Sequence, residues 1–221
     1  MNNLQKRILT SIVALPTSLF FIFTGGYPLL FFLLMIFFIG NYELFSVFKK
    51  KITILFLDLI LILTLFSIFL LRDGTTTSLI LLIWFIFLTV CSDIGGYAFG
   101  KIFKWKKLTK ISPKKTLSGV LGSFILSLGS LFIMDFIFLS TKTDLSNTSI
   151  KFIEPKFFFL AIILSLTAQA GDLAISYFKR LEKIKDAGKV LPGHGGIFDR
   201  IDSLMFVIIL GFILYNFNII P

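Results

Sequence analysis

The sequence predicts an all-α fold: a polytopic integral membrane bundle of seven transmembrane helices. Three observations carry this. Of 221 residues, 56% are hydrophobic and 15% charged, against roughly 25% charged in an average soluble domain. The apolar residues collect in runs of about 17 to 23, close to the 20 or so that a helix needs to cross the hydrocarbon core. The runs do not alternate, so barrel strands are excluded, and helices are the remaining way to pair every backbone group inside lipid.

The expected spans are 8–24, 27–48, 53–71, 78–99, 117–139, 157–178 and 201–220. The first, behind Lys6 and Arg7, has the flanks of a secretory leader. It is followed by Gly25-Gly26-Tyr27-Pro28 and a second apolar run, with no small-x-small cleavage site, so it is expected to be retained. The second and third are mostly Leu, Ile and Phe, with Asn41, Glu43 and Asp58 as polar intrusions. The fourth runs into Ser92-Asp93-Ile94-Gly95-Gly96-Tyr97, and the fifth follows a basic loop. The sixth ends in Lys179-Arg180 and the seventh follows Arg200. No internal repeat interrupts the series. Residues 1–90 read as scaffold and 91–221 as the catalytic region, with a basic loop at 101–116 and a motif-rich segment at 176–202.

Eighteen of the 22 lysines and arginines fall on one side of an alternating seven-span arrangement. That asymmetry predicts a cytoplasmic amino terminus and cytoplasmic basic loops in a cytoplasmic (plasma) membrane. The single Cys91 and single His194 exclude a disulfide framework, a cysteine metal cluster, His-rich zinc chemistry and a cysteine hydrolase. No nucleic-acid partner is expected.

An acid inside a span costs about 2.5 to 3.5 kcal/mol to insert and so marks a partner or a water-filled cavity. Asp172 is the strongest such signal: helical spacing puts Asp172, Ser176 and Lys179 on one face, extended inward by Gln169. Functional and purely structural readings weigh evenly for Asp93, because the small residues beside it equally suit close helix packing. Asp58 and Asp135 lack such company and read as packing or snorkelling residues.

The loop from Lys101 to Thr116 carries seven lysines and no acid. Attraction to anionic headgroups accounts for most runs of this kind. Its end differs: Ser112, Lys114, Lys115 and Thr116, before Gly119 and Gly122 at a helix start, combine hydroxyls, ammonium groups and backbone amides suited to phosphate.

Segment 176–202 is the most specific. It holds a basic helix end, the pair Lys185-Asp186, a Pro-Gly-His-Gly-Gly turn and two aspartates bracketing Arg200. Gly193, Gly195 and Gly196 permit close approach of a ligand such as a nucleotide. Asp199 suits a helix cap equally well. Together Asp172, Asp199 and Asp202 supply the oxygen donors that Mg²⁺ prefers.

The pattern SxFKRxxxxKDxGxxxPGHGGIxDRxD, read from Ser176 to Asp202, resembles the signature of the phosphatidate cytidylyltransferase family without a mismatch. Two upstream stretches agree less fully. Gly96 stands where the family's Asp-x-x-Ala-Tyr-x-x-Gly-Lys stretch has alanine, and Leu117-Ser118-Gly119 stands where the family has Trp-Glu-Gly. The resemblance covers about the second half of the chain. It implies that CTP and phosphatidate give CDP-diacylglycerol and pyrophosphate, with magnesium, in phospholipid biosynthesis.

On this resemblance Asp172 and Asp199 match the family's metal-binding acids. Asp93 and Asp202 are left as further ligands or as partners of the ligands, and a second cation stays open. Lys114, Lys115, Lys179, Arg180 and Arg200 would hold the triphosphate, the lipid phosphate and the departing pyrophosphate. Ser112, Thr116, Ser176, Lys185, Asp186, His194, Gly195 and Gly196 fall in the substrate-binding segments, the glycine and His194 loop lying over nucleotide or phosphate. A phosphomonoester with a second pKa near 6 is already an anionic nucleophile, so no histidine base is needed. Two alternatives stay open: a proton- or ion-coupled transporter using Asp93 and Asp172, and a CTP-dependent enzyme acting on another lipid. An unpaired helix face would also admit a homodimer.

Overall fold

The computed structural model describes residues 3–73, 75–109, 112, 115–140, 150–188, 190 and 195–220. Among them are seven helices: α1 (Asn3–Thr24), α2 (Gly26–Val47), α3 (Lys51–Asp73), α4 (Thr76–Phe103), α5 (Leu117–Ser140), α6 (Pro155–Leu181) and α7 (Phe198–Asn216). One antiparallel bridge pairs Lys107 with Thr116. Five helices, α2 to α6, are long and apolar enough to cross a membrane. The chain is an all-α, multi-pass membrane protein. Its outward faces fit that setting: Phe31, Phe38, Phe45 and Phe66 are exposed, as apolar side chains in contact with lipid are.

The helices overrun or fall short of the apolar runs where local backbone chemistry decides. Helix α4 continues through Gly100 and Lys101 and stops at Lys104, which takes a left-handed φ of 49° while its N–H returns to the Gly100 carbonyl at 3.2 Å. Helix α7 starts at Phe198 and ends at Asn216. There the Phe217 and Asn218 amides fold back onto the carbonyls of Ile213 and Tyr215.

Two apolar cores fix the bundle. One surrounds Trp84, Phe85, Phe152 and Phe157, and the buried Trp84 indole donates to Ser130 Oγ at 3.3 Å. The other joins α2, α3, α6 and α7 through Leu44, Leu57, Leu61, Ile175, Phe198 and Met205. Between α4 and α5 runs a glycine seam. A Cβ on Gly119 would lie 2.7 Å from the Gly96 carbonyl, and one on Gly122 would lie 2.5 Å from the Gly95 carbonyl. Apolar side chains gain little from avoiding lipid, so such small residues bring two backbones together by allowing close packing. The seam lets the end of α4 and the start of α5 share a site with α6 and α7.

Candidate active site

The carboxyl ends of α2, α4 and α6 and the amino ends of α5 and α7 meet at one end of the bundle, together with the described residues of the basic connections that follow α4 and α6. The first connection is held as a narrow antiparallel pair: Leu108 N–H donates to Lys115 O at 2.8 Å and Leu117 N–H to Lys106 O at 3.0 Å. This pairing turns Lys115 inward while Lys101, Lys104, Lys106 and Lys107 stay exposed. Thr116 caps α5 by accepting from Gly119 N at 3.1 Å. Its Oγ1 also lies 3.0 Å from Ser118 Oγ.

Behind the pair is a cavity of about 340 Å³ whose lining includes Asp93, Ser112, Lys115, Thr116, Asp172 and Asp202. Lys115 Nζ stands 2.7 Å from Asp172 Oδ2 and donates to the Gln169 carbonyl at 3.0 Å. Ser176 Oγ donates to the other Asp172 oxygen at 3.4 Å, as helical spacing predicts. Asp93 accepts from Ser203 Oγ at 3.1 Å, and Asp202 accepts from the Ser203 amide at 2.9 Å. Three carboxylates from three helices therefore share one cavity with a single described lysine.

A second cluster lies further along α6 and α7. Lys179 follows Asp172 by two helical turns, about 10 Å along the axis. Lys179 Nζ pairs with Asp199 Oδ1 at 2.7 Å, with side-chain exposures of only 10% and 8%. Asp199 Oδ2 accepts the amides of Ala187 and Gly196 at 2.8 and 3.0 Å. Asp199 thus ties the two ends of the glycine-rich loop to the start of α7. Gly195 takes a φ of +89°, the left-handed region that favours glycine.

The remaining described site residues, Arg180, Lys185, Asp186 and Arg200, stand outside the cavity lining. Arg180 is exposed and donates to the Ile184 carbonyl at 3.1 Å. Lys185, Asp186 and Arg200 are exposed at the same end of the molecule. Lys114 and His194 lie outside the described residues. Gly119 both packs in the seam and lines the cavity, and Gly122 serves the seam.

Glu43 is the residue that sequence reasoning left in the scaffold. It is 1% exposed, and its carboxylate accepts Val190 N–H at 3.3 Å and Ile197 N–H at 2.7 Å. The signal that marked Asp172, an acid in an apolar span, was present for Glu43 as well. Ser203 was also missed, its hydroxyl being visible as a partner only once α4 and α7 are side by side.

The donor set fits magnesium. No three described acidic, histidine or cysteine residues stand close enough to enclose an ion by themselves. Mg²⁺ is commonly held by one or two carboxylates together with substrate phosphates and water, and Asp172, Asp93 and Asp202 line a cavity with room for phosphate.

Comparison with known proteins places this chain in a family. The family model described as "Cytidylyltransferase family" matches residues 48–218. A Rickettsia conorii protein named phosphatidate cytidylyltransferase is 38% identical over 222 residues, covering 96% of this chain and 91% of the relative. Proteins of the same name from Helicobacter pylori (39% identical) and Staphylococcus haemolyticus (43%) match 57% and 53% of this chain. Those two alignments span less than half of each relative, 43% and 42%.

Proposed function

Because this chain belongs to the cytidylyltransferase family, we propose that it is a phosphatidate cytidylyltransferase, converting CTP and phosphatidate to CDP-diacylglycerol and pyrophosphate. The observation that carries the reading is the cavity in which Lys115 and three carboxylates from separate helices meet beside a basic connection. It joins cations for phosphates to acids for a metal ion at the end of a membrane bundle. A soluble nucleotide can reach that place from water and a lipid from the bilayer.

In the proposed reaction a phosphate oxygen of phosphatidate attacks the α-phosphorus of CTP. The new P–O bond forms as the bond to the β-phosphate breaks, and pyrophosphate leaves with the electron pair. Lys115 neutralises phosphate charge in the cavity, while Arg180, Arg200 and Lys114 hold the outer phosphates. Asp172 and Asp199 are the assigned metal acids, supported by Asp93 and Asp202. In this structure Asp199 stands apart from the cavity acids, with Oδ1 on Lys179 and Oδ2 on the Ala187 and Gly196 amides. Its assignment therefore requires Lys179 to turn to a nucleotide phosphate and free Oδ1, while Asp93 and Asp202 stand beside Asp172 in the cavity. When bound, Mg²⁺ would neutralise triphosphate charge and orient in-line transfer. The amino ends of α5 and α7 add positive helix-dipole character at the same place. The basic asymmetry of the sequence supports a cytoplasmic position for this end.

The family relation leaves the ion-transport reading of Asp93 and Asp172 without support. The test is conversion of labelled CTP and phosphatidate by purified protein, with and without Mg²⁺, beside Asp172→Ala and Asp199→Ala. Turnover that needs the metal and both acids is expected. CTP binding without product, recovered when another lipid phosphate is supplied, would reassign the lipid, and absence of CTP binding would refute the proposal.

A further inference from the structure

Glu43 sits in α2, far in sequence from the motif-rich segment, yet its two carboxylate oxygens each take one amide from it. The fit is also steric. A Cβ on Gly196 would stand 2.7 Å from Glu43 Oε2, and one on Gly188 would stand 2.5 Å from Glu43 Cδ. Asp199 takes the amides of Ala187 and Gly196 from the α7 side. Two carboxylates from two helices therefore hold the described residues on both sides of the Pro-Gly-His-Gly-Gly turn: Ala187 and Val190 before it, Gly196 and Ile197 at its end. A buried carboxylate is costly unless its hydrogen bonds are made, so Glu43 commits both ends to one spacing.

We infer that Glu43 is a positioning residue for the reaction. It sets the geometry of the glycine-rich connection from the amino-terminal half of the bundle, so a region that lines no part of the described cavity takes part in nucleotide binding. The inference rests on the proposed use of CTP and takes the nucleotide, of the two ligands the sequence left open for this connection, as the one it meets.

The test pairs kinetics with hydrogen exchange on the full-length protein. Glu43→Gln keeps the shape but replaces one acceptor with an NH₂ group facing an amide donor. The Val190 and Ile197 amides should then exchange faster while those of α4 and α5 do not change. The KM for CTP should rise about tenfold or more, the loss expected for roughly one buried hydrogen bond, with the KM for phosphatidate unchanged. Gly188→Ala attacks the contact from the other side and should give the same pattern. Glu43→Asp, which withdraws the carboxylate, combined with Gly188→Ala should lose no more than the worse single variant. Additive losses, unchanged exchange, or equal effects on both substrates with general destabilisation would overturn the inference. If the wild-type protein does not use CTP, the functional proposal falls, while the exchange measurement still decides whether Glu43 holds the connection.

Discussion

Replacing Gly122 with alanine tests whether the glycine seam sets the geometry of the site. The new Cβ would lie 2.4 Å from Phe99 Cβ, an atom fixed to the α4 backbone, and 2.5 Å from the Gly95 carbonyl oxygen, where ordinary contact begins at 3.4 Å. The obstacles are backbone or fixed to it, so α4 and α5 must separate by about 1 Å, in a range where overpacking costs about 1 to 3 kcal/mol. Lys115 enters the cavity just before α5, Asp93 enters from α4, and Asp172 stands on α6. A displacement near 1 Å in such an arrangement lowers turnover by about 10²-fold. A methyl group added at Gly129, on the same helix, would meet nothing within 4 Å, so Gly129→Ala should be neutral or slightly stabilising. Thermal unfolding in detergent and turnover of CTP with phosphatidate would be measured for both variants. A Gly122→Ala protein with wild-type melting and activity, or a Gly129→Ala protein equally impaired, would refute the reasoning.

The two lysine–aspartate pairs should respond differently to neutralisation. Asp199→Asn leaves Lys179 in a setting where side-chain exposure is 10%, and thermal unfolding should show a loss of roughly 3 to 5 kcal/mol. Asp172→Asn disturbs a pair exposed by 21% and 31%, so the unfolding measurement should change by no more than about 1 kcal/mol while turnover collapses. Lys115→Met should likewise fold normally and lose about 10²-fold in kcat/KM, the scale of removing one charge-stabilising donor. Chelation of Mg²⁺ should abolish turnover in the assay, and adding the metal back should restore it.

The all-α membrane fold was legible in the sequence because spanning lipid is a local requirement. A run of apolar residues must satisfy its own backbone, and its length is set by the bilayer. The motif-rich segment and the exceptional place of Asp172 were legible for related reasons: an acid in lipid is costly wherever its partner lies. Helical periodicity also placed Ser176 beside Asp172. What the sequence left open was the partner of each group. Gly95 and Gly96 suited ligand approach and helix packing equally, and the closeness of α5 made them part of the packing seam. Asp172 and Lys179 share a helix face, yet one meets Lys115 and the other Asp199. Glu43 read as an isolated polar intrusion until the bundle brought the 187–197 connection onto it. Such pairings depend on how separate helices pack, a choice made by side-chain volume and backbone approach between segments distant in the chain, while helix formation within lipid depends on each segment alone.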